Sequence, residues 1–158
     1  MRIGFGFDAH AVDASRSLVI GGVTIPEGPG LAGHSDADVL SHAVADALLG
    51  AARLGDLGER FPNDDRWRGV SSLEILAQTA VLLRAAGWRI DNIDSTVVAA
   101  APTLSPYRER MVTAIAGALD LEPDAVSVKA TTTDGLGFTG RGEGVAAYAV
   151  ALISRVGS

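Results

Sequence analysis

The chain has 158 residues, 47% of them hydrophobic, which is the length and apolar content of one ordinary domain with its own core. Thirteen Lys and Arg against nineteen Asp and Glu leave a net charge of −6, which argues against a surface built to neutralise a nucleic-acid backbone. Cysteine is absent, so disulfides and thiolate metal sites are excluded, and any metal must rest on His nitrogen or on Asp, Glu or backbone oxygen.

Residues 1–10 read as a short strand, in which Asp8 and His10 are two apart and leave the same face, able to converge on one ion. The N-terminal segment has no basic stretch leading into a long apolar core, and no apolar run approaches the length of a membrane span. A soluble cytoplasmic protein with no membrane or nucleic-acid partner is therefore expected. A second short strand, 17–26, is interrupted by Gly21 and Gly22, a pair suited to a tight connection, and 27–33 reads as an irregular Gly- and Pro-containing stretch. From Ser35 onward Val39, Leu40, Ala43, Val44, Ala47, Leu48 and Ala51 recur at spacings of three and four, the pattern of a helix with one buried face. Ser35 is its expected N-cap, with Asp38 three residues on. Asp38, His42 and Asp46 are spaced by four and stack along one edge of that helix.

Residues 55–69 are rich in Gly, Pro and Asp and read as an irregular loop of the kind that carries binding groups. A helix over 71–86, a buried strand over 94–101, a helix over 106–119 and a strand over 125–133 follow, and an almost wholly apolar strand over 145–153 ends the pattern. The expected fold is α+β: a single-domain mixed β-sheet with helices packed on one face. Aromatics make up only 5% of residues while Ala and Gly abound, so much of the core must come from small, closely packed side chains, a composition that often leans on subunit contacts.

Two places concentrate chemistry. Asp8, His10 and His42 offer two imidazoles and a carboxylate, a ligand set used by catalytic zinc with a fourth position open, although packed or solvated polar residues explain the same three positions. Asp38 reads equally as a capping residue, and Asp46 as a solvated position or an acceptor for His42. Residues 131–144 hold five glycines within ten positions, beside Thr131, Thr132, Thr133, Asp134 and Arg141. Such a segment can bring backbone N–H groups to phosphate oxygens while Asp134 offers oxygen to a hard cation, or it can be a flexible connection. It lacks the Gly-Lys-Ser/Thr ending of a Walker loop.

In order and spacing, Gly6-Phe7-Asp8-Ala9-His10, His34-Ser35-Asp36-Ala37-Asp38, Gly55-Asp56-Leu57-Gly58 with Phe61-Pro62, and Lys129 through Gly144 resemble the 2-C-methyl-D-erythritol 2,4-cyclodiphosphate synthase family over nearly the whole chain. The resemblance implies a homotrimer with active sites between neighbours. It implies Zn²⁺, or another divalent transition metal, on Asp8, His10 and His42, and a second cation, Mg²⁺ or Mn²⁺, on Asp134, bridging the substrate diphosphate. His34 and Thr132 match positions that stabilise the transition state. Ser35, Asp46, Asp56, Leu57, Gly58, Phe61, Pro62, Asn63, Asp64 and Asp65 match substrate-binding positions around the methylerythritol phosphate. Ala99, Ala100, Ala101, Pro102, Thr103, Leu104 and Ser105, with Ala130, Thr131, Thr132 and Thr133, match the cytidine pocket. Phe7, Phe138, Arg141 and Glu143 correspond to positions near the threefold axis, where some members enclose an isoprenoid-diphosphate-like ligand.

The implied substrate is CDP-linked: a 2-phosphate oxygen attacks the β-phosphorus and CMP leaves. The pattern is departed from at Asp134, where Glu is also common, at Asn63, where Asp is frequent, and at Thr103, where Lys is often found. A non-catalytic trimer binding an isoprenoid diphosphate, and a generic metal phosphohydrolase, are the competing readings.

Overall fold

Alternation of apolar residues at the start of the chain sets up its longest element. In a computed structural model describing residues 1–157, β1 (Arg2–Ile20) runs unbroken from the first expected N-terminal strand into the first part of the second, which is divided between β1 and the next strand. It turns at Gly21 and Gly22, both at positive φ, into β2 (Val23–Leu31). Then come α1 (Val39–Ala52), α2 (Leu57–Arg60), α3 (Ser72–Ala85), β3 (Trp88–Val98), α4 (Arg108–Leu119), β4 (Val126–Thr131), α5 (Gly137–Gly140) and β5 (Gly144–Arg155). The strands form one sheet in the order β2-β1-β5-β3-β4. All pairs are antiparallel except β3 with β4, where the α4 crossover carries the chain back to run in the same direction. The fold is thus the expected mixed-sheet α+β arrangement.

β1 changes partner along its length. Residues 2–11 pair with β5 and residues 12–20 with β2, with register shifts near Asp13 and Ser17 where the strand passes from one to the other. On the β5 half, Gly4, Gly6, Asp8 and His10 share one face by the two-residue period, and Ile3, Phe5 and Phe7 share the other. The first face meets α1. A Cβ at Gly4 would lie 1.9 Å from the Ala47 carbonyl oxygen, and one at Gly6 would lie 2.0 Å from that of Ala43, so the helix rests directly on strand backbone. Ala147, Ala149 and Ala151 of β5 and Ala43, Ala47 and Ala51 of α1 are all buried, which is how a chain poor in aromatics closes its core.

Several local expectations are corrected. Residues 27–31 continue β2 instead of forming an irregular stretch, because β1 supplies their ladder partners. The N-cap of α1 is Asp38, not Ser35: its fully buried carboxylate accepts from Ser41 N at 3.1 Å and, across the hairpin, from Gly21 N at 2.8 Å and Gly22 N at 2.7 Å. Burial pushes this carboxyl up while those donors oppose the shift. The loop after α1 holds the one-turn α2, capped by Asp56 accepting from Glu59 N at 2.8 Å. No helix among the described residues is long and apolar enough to cross a membrane.

The opposite sheet face is largely open among the described residues, with the one-turn α5 reaching only its end at Ala146 and Tyr148. Ile3 is 72% exposed and Phe5 62%, beside exposed Phe7, Tyr148 and Val150, with the Phe7 and Tyr148 rings 5.1 Å apart. β5 is therefore apolar on both faces, while one is covered by α1 and the other, beyond Ala146, is mostly open.

The close α1–β1 contact predicts that Gly6→Ala forces the helix away from the strand, costing about 1–3 kcal/mol as a lowered midpoint in urea unfolding. Wild-type stability would show that the backbone yields at this point.

Candidate active site

Beyond the two glycines, the same face of β1 presents Asp8 and His10 to the first turn of α1, where His42 sits. Asp8 Oδ2 lies 2.8 Å from His10 Nε2 and 3.0 Å from His42 Nδ1, and the two ring nitrogens are 3.2 Å apart. A tetrahedral ion with bonds of about 2.0–2.1 Å has ligand edges of roughly 3.3 Å, so this triangle needs to open only slightly to hold one. The three residues form a group able to hold a metal ion.

The hydrogen-bonding chemistry supports that fit. His10 Nδ1 donates to the Ala32 carbonyl at 2.6 Å, which commits its proton and turns the Nε2 lone pair toward Asp8. Burial pushes the Asp8 carboxyl up, but hydrogen bonds and charge from His10 and His42 outweigh it and hold the group well below the usual carboxylate range. Burial likewise opposes the charged form of His10, and the Asp8 carboxylate overcomes it, raising the imidazole above its ordinary value. The cluster draws in positive charge, as a proton or as a cation.

These three residues sit in the wall of a cavity of about 280 Å³, with His34, Ser35 and Asn63 among the other polar groups and Leu57, Phe61 and Trp67 supplying apolar wall. Its rim is tied down by side chains with partners elsewhere. Arg16 on β1 donates from its guanidinium to the carbonyls of Gly33 and Ser35. His34 Nε2 donates to the Asp64 carbonyl at 2.7 Å. Phe61 and Trp67 meet edge to face with centroids 4.9 Å apart.

The remaining expected site residues divide. Gly58 also lines the cavity, but Asp46, Asp56, Pro62, Asp64 and Asp65 do not. Asp46 accepts from Leu57 N at 3.1 Å and so anchors the start of α2; it does not act as an acceptor for His42. Its carboxyl is pushed up by burial, with Asp56 and Asp8 adding to the shift. Asp64 pairs with Arg66 at 2.6 Å and Asp65 with Arg68 at 3.1 Å, on the surface.

A second cavity, of about 260 Å³, is walled by Ala99, Ala100, Pro102, Thr103, Leu104 and Ser105 against Ala130, Thr131 and Thr132. Ala101 and Thr133 are not in that wall. Thr132 Oγ1 donates to Asp134 Oδ1 at 2.9 Å, and Asp134 N donates back to Thr132 Oγ1 at 2.9 Å, so these two hold each other in a tight turn. Asp134 and Phe138 line a further open cavity beside Tyr148, and Arg141 pairs with Glu143 at 2.7 Å. Among the described residues, none lines both the first and the second cavity. Ser72, Arg16 and Trp67 were not legible as site residues, since no motif or helical period links them to the cluster, and Asp36, though inside the His34–Asp38 motif, had no role assigned to it.

Comparison with known proteins places the chain. The YgbB family model matches residues 1–154. A 2-C-methyl-D-erythritol 2,4-cyclodiphosphate synthase of Pelotomaculum thermopropionicum is 58% identical over 99% of this chain and 98% of its own. The bifunctional IspDF of Campylobacter jejuni superposes with a TM-score of 0.93 at 42% identity, covering 98% of this chain and 42% of that one. IspF of Plasmodium falciparum in complex with CDP gives 0.85 at 30% identity, covering 98% and 96%.

A three-ligand site cannot readily lose one member and keep its geometry, so His42→Ala is expected to lose bound divalent metal and turnover together. Elemental analysis of the purified variant checks it; full metal occupancy would remove this triangle from the chemistry.

Proposed function

This chain belongs to the YgbB family, the 2-C-methyl-D-erythritol 2,4-cyclodiphosphate synthases, and from that membership we propose how its residues share the work of closing the cyclic diphosphate. The chain is an enzyme of isoprenoid biosynthesis. In the proposed reaction, 4-diphosphocytidyl-2-C-methyl-D-erythritol 2-phosphate is cyclised: an oxygen of the 2-phosphate bonds to the β-phosphorus, the bond from that phosphorus to the bridging oxygen breaks, and CMP leaves with that oxygen. Formally this is a phosphorus–oxygen lyase.

A phosphate monoester is already an anionic nucleophile, so no strong base is needed. The barrier lies in bringing two anions into line. Zinc on Asp8, His10 and His42, with magnesium or manganese held through Asp134, would supply positive charge to the phosphate oxygens. The observation that carries this reading is the triangle of Asp8, His10 and His42 ligand atoms in the wall of a cavity that also holds His34 and Ser35.

The chain's own groups divide the rest. His34 through its other ring nitrogen, and Thr132 once its hydroxyl proton is released from Asp134 by a cation there, would donate hydrogen bonds to oxygens on which charge accumulates, and Ser35 and Asn63 with the amides near Gly58 hold the methylerythritol phosphate. Asp46 and Asp56 serve this by setting the loop that carries Leu57 and Gly58, through the bonds each makes there. The second cavity takes the cytidine diphosphate portion. Thr103 puts a neutral hydroxyl there, so phosphate binding on this wall rests on backbone amides and hydroxyls. Fixing nucleophile and electrophile within one bound molecule removes on the order of 7–11 kcal/mol of barrier in favourable cases.

The metal triangle and the second cavity lie in separate walls, yet one substrate must span both. We infer a homotrimer in which a neighbour supplies the nucleotide wall, its contact built on the uncovered face of β1 and β5. In that assembly Phe7, Phe138, Arg141 and Glu143 lie near the axis, where an isoprenoid diphosphate is the fitting ligand class. The proposed compartment is the cytoplasm.

Incubating the protein with the CDP-linked substrate, Zn²⁺ and Mg²⁺ should yield cyclic diphosphate and CMP by phosphorus NMR, with no inorganic phosphate. Free phosphate would point to a hydrolase, and no turnover to a binding module. Sedimentation should report a trimer; full activity from a monomer at nanomolar concentration refutes the shared site.

A further inference from the structure

The ring of His42 has a second side. Its Nε2 faces away from the triangle, 2.9 Å from Ser72 Oγ and 3.1 Å from Ser35 Oγ. Two hydroxyls can each donate or accept, so the contacts alone leave the tautomer of His42 open. Two tautomers are in competition. With the proton on Nδ1, the ring donates to Asp8 and presents no lone pair to an ion. With the proton on Nε2, the Nδ1 lone pair joins those of His10 and Asp8.

Ser72 decides between them. It is the first residue of α3, fully buried, and its hydroxyl donates to Asp36 Oδ1 in a short hydrogen bond, while its backbone N–H donates to Asp36 Oδ2 at 2.9 Å. Asp36 is itself held in place: its N–H donates to the Val70 carbonyl at 3.2 Å, and its Oδ1 also accepts from Asp38 N at 3.2 Å. A carboxylate is an acceptor only, so the single hydroxyl proton of Ser72 is committed to it. What Ser72 has left for His42 is an oxygen lone pair.

We propose that Ser72, oriented by Asp36, is a positioning residue for the metal centre: its oxygen accepts the Nε2 proton of His42 and thereby turns the Nδ1 lone pair toward Asp8 and His10. The inference rests on the reading of Asp8, His10 and His42 as the zinc ligands. It assigns to the N-terminus of α3 a role in the chemistry that its place in the chain, thirty residues from His42, does not announce. The arrangement parallels the Ala32 carbonyl on His10, so each imidazole of the triangle has its outer nitrogen bound to a fixed oxygen. It also spreads the ligand support over three segments, since Asp36 ties the turn before α1 to the start of α3.

The test compares zinc affinity of the full chain by competition with a chelator in wild type, Ser72→Ala, Asp36→Asn, Ser71→Ala and His42→Ala. Losing an outer partner of a metal-bound imidazole weakens binding roughly 10–100-fold, which is expected for Ser72→Ala, with a smaller loss for Asp36→Asn. Ser71 is the exposed N-cap of α3, accepting from Leu73 N at 3.3 Å; Ser71→Ala should lower the melting temperature and leave zinc affinity unchanged. In the cobalt-substituted protein, the Nε2 proton of His42 should appear as a shifted, slowly exchanging proton resonance in wild type and exchange faster in Ser72→Ala.

Wild-type zinc affinity in Ser72→Ala overturns the proposal. So does an equal loss in Ser72→Ala and Ser71→Ala, which would assign the effect to docking of α3. If Ser72→Ala does not fold, Asp36→Asn carries the test, and unchanged zinc affinity in that variant overturns the proposal equally. Tight zinc in His42→Ala removes the ligand set and this proposal together, whereas its loss there with full affinity in Ser72→Ala removes this proposal alone.

Discussion

The contact on which the site depends is the one without side chains, where α1 lies on the backbone of β1 at Gly4 and Gly6. A Cβ at either position would overlap a carbonyl oxygen of the helix, so only glycine permits this separation. Strand alternation then places Asp8 and His10 on the same face, two and four residues beyond Gly6, where the helix has brought His42. The ligand triangle is thus a consequence of helix height above the sheet. Protein interiors pack densely enough that a displacement of one methyl group is felt at neighbouring positions.

Around that contact the polar groups are satisfied in a way that rigidifies the cavity. Asp38 gathers the hairpin amides of Gly21 and Gly22 with the first turn of α1, Arg16 binds the carbonyls of the turn before it, and Asp46 fixes the start of α2. The bonds of Asp38 to the hairpin and of Arg16 to the turn join segments more than fifteen residues apart, and a charged partner strengthens such a bond relative to a neutral pair. The buried indole Nε1 of Trp67 is the one buried side-chain donor without a partner among the described residues.

A protein of net charge −6 that acts on a phosphorylated substrate must concentrate positive potential locally. The cluster of Asp8 with two imidazoles does this, since its geometry favours gain of a proton or a cation, and backbone amides at the turns add partial charges without adding net charge. The uncovered apolar face of β1 and β5 follows from the same composition: a small chain with few aromatics covers one side of its sheet with α1 and leaves Ile3, Phe5 and Tyr148 for another surface.

Wherever a short-range period governs, the amino-acid sequence determined the outcome. Asp8 and His10 share a face because strand side chains alternate, and the apolar stripe of α1, the Gly21-Gly22 turn and the mixed-sheet α+β class follow from equally local patterns. The motifs near His34, Gly55 and Gly140 carried the family as well. Local reading failed where a polar side chain had competing uses: Ser35 had the chemistry of an N-cap, but Asp38 holds that place because the hairpin supplies it with further donors. Asp46 had the spacing to support His42, yet the start of α2 came within reach of it first. The pairing of Ser72 and Asp36 with His42, the Arg16 clamp and the separation of the two cavities were decided by tertiary structure alone. These groups are far apart along the chain and meet only when α1 settles on the glycines of β1, a distance that no local period encodes.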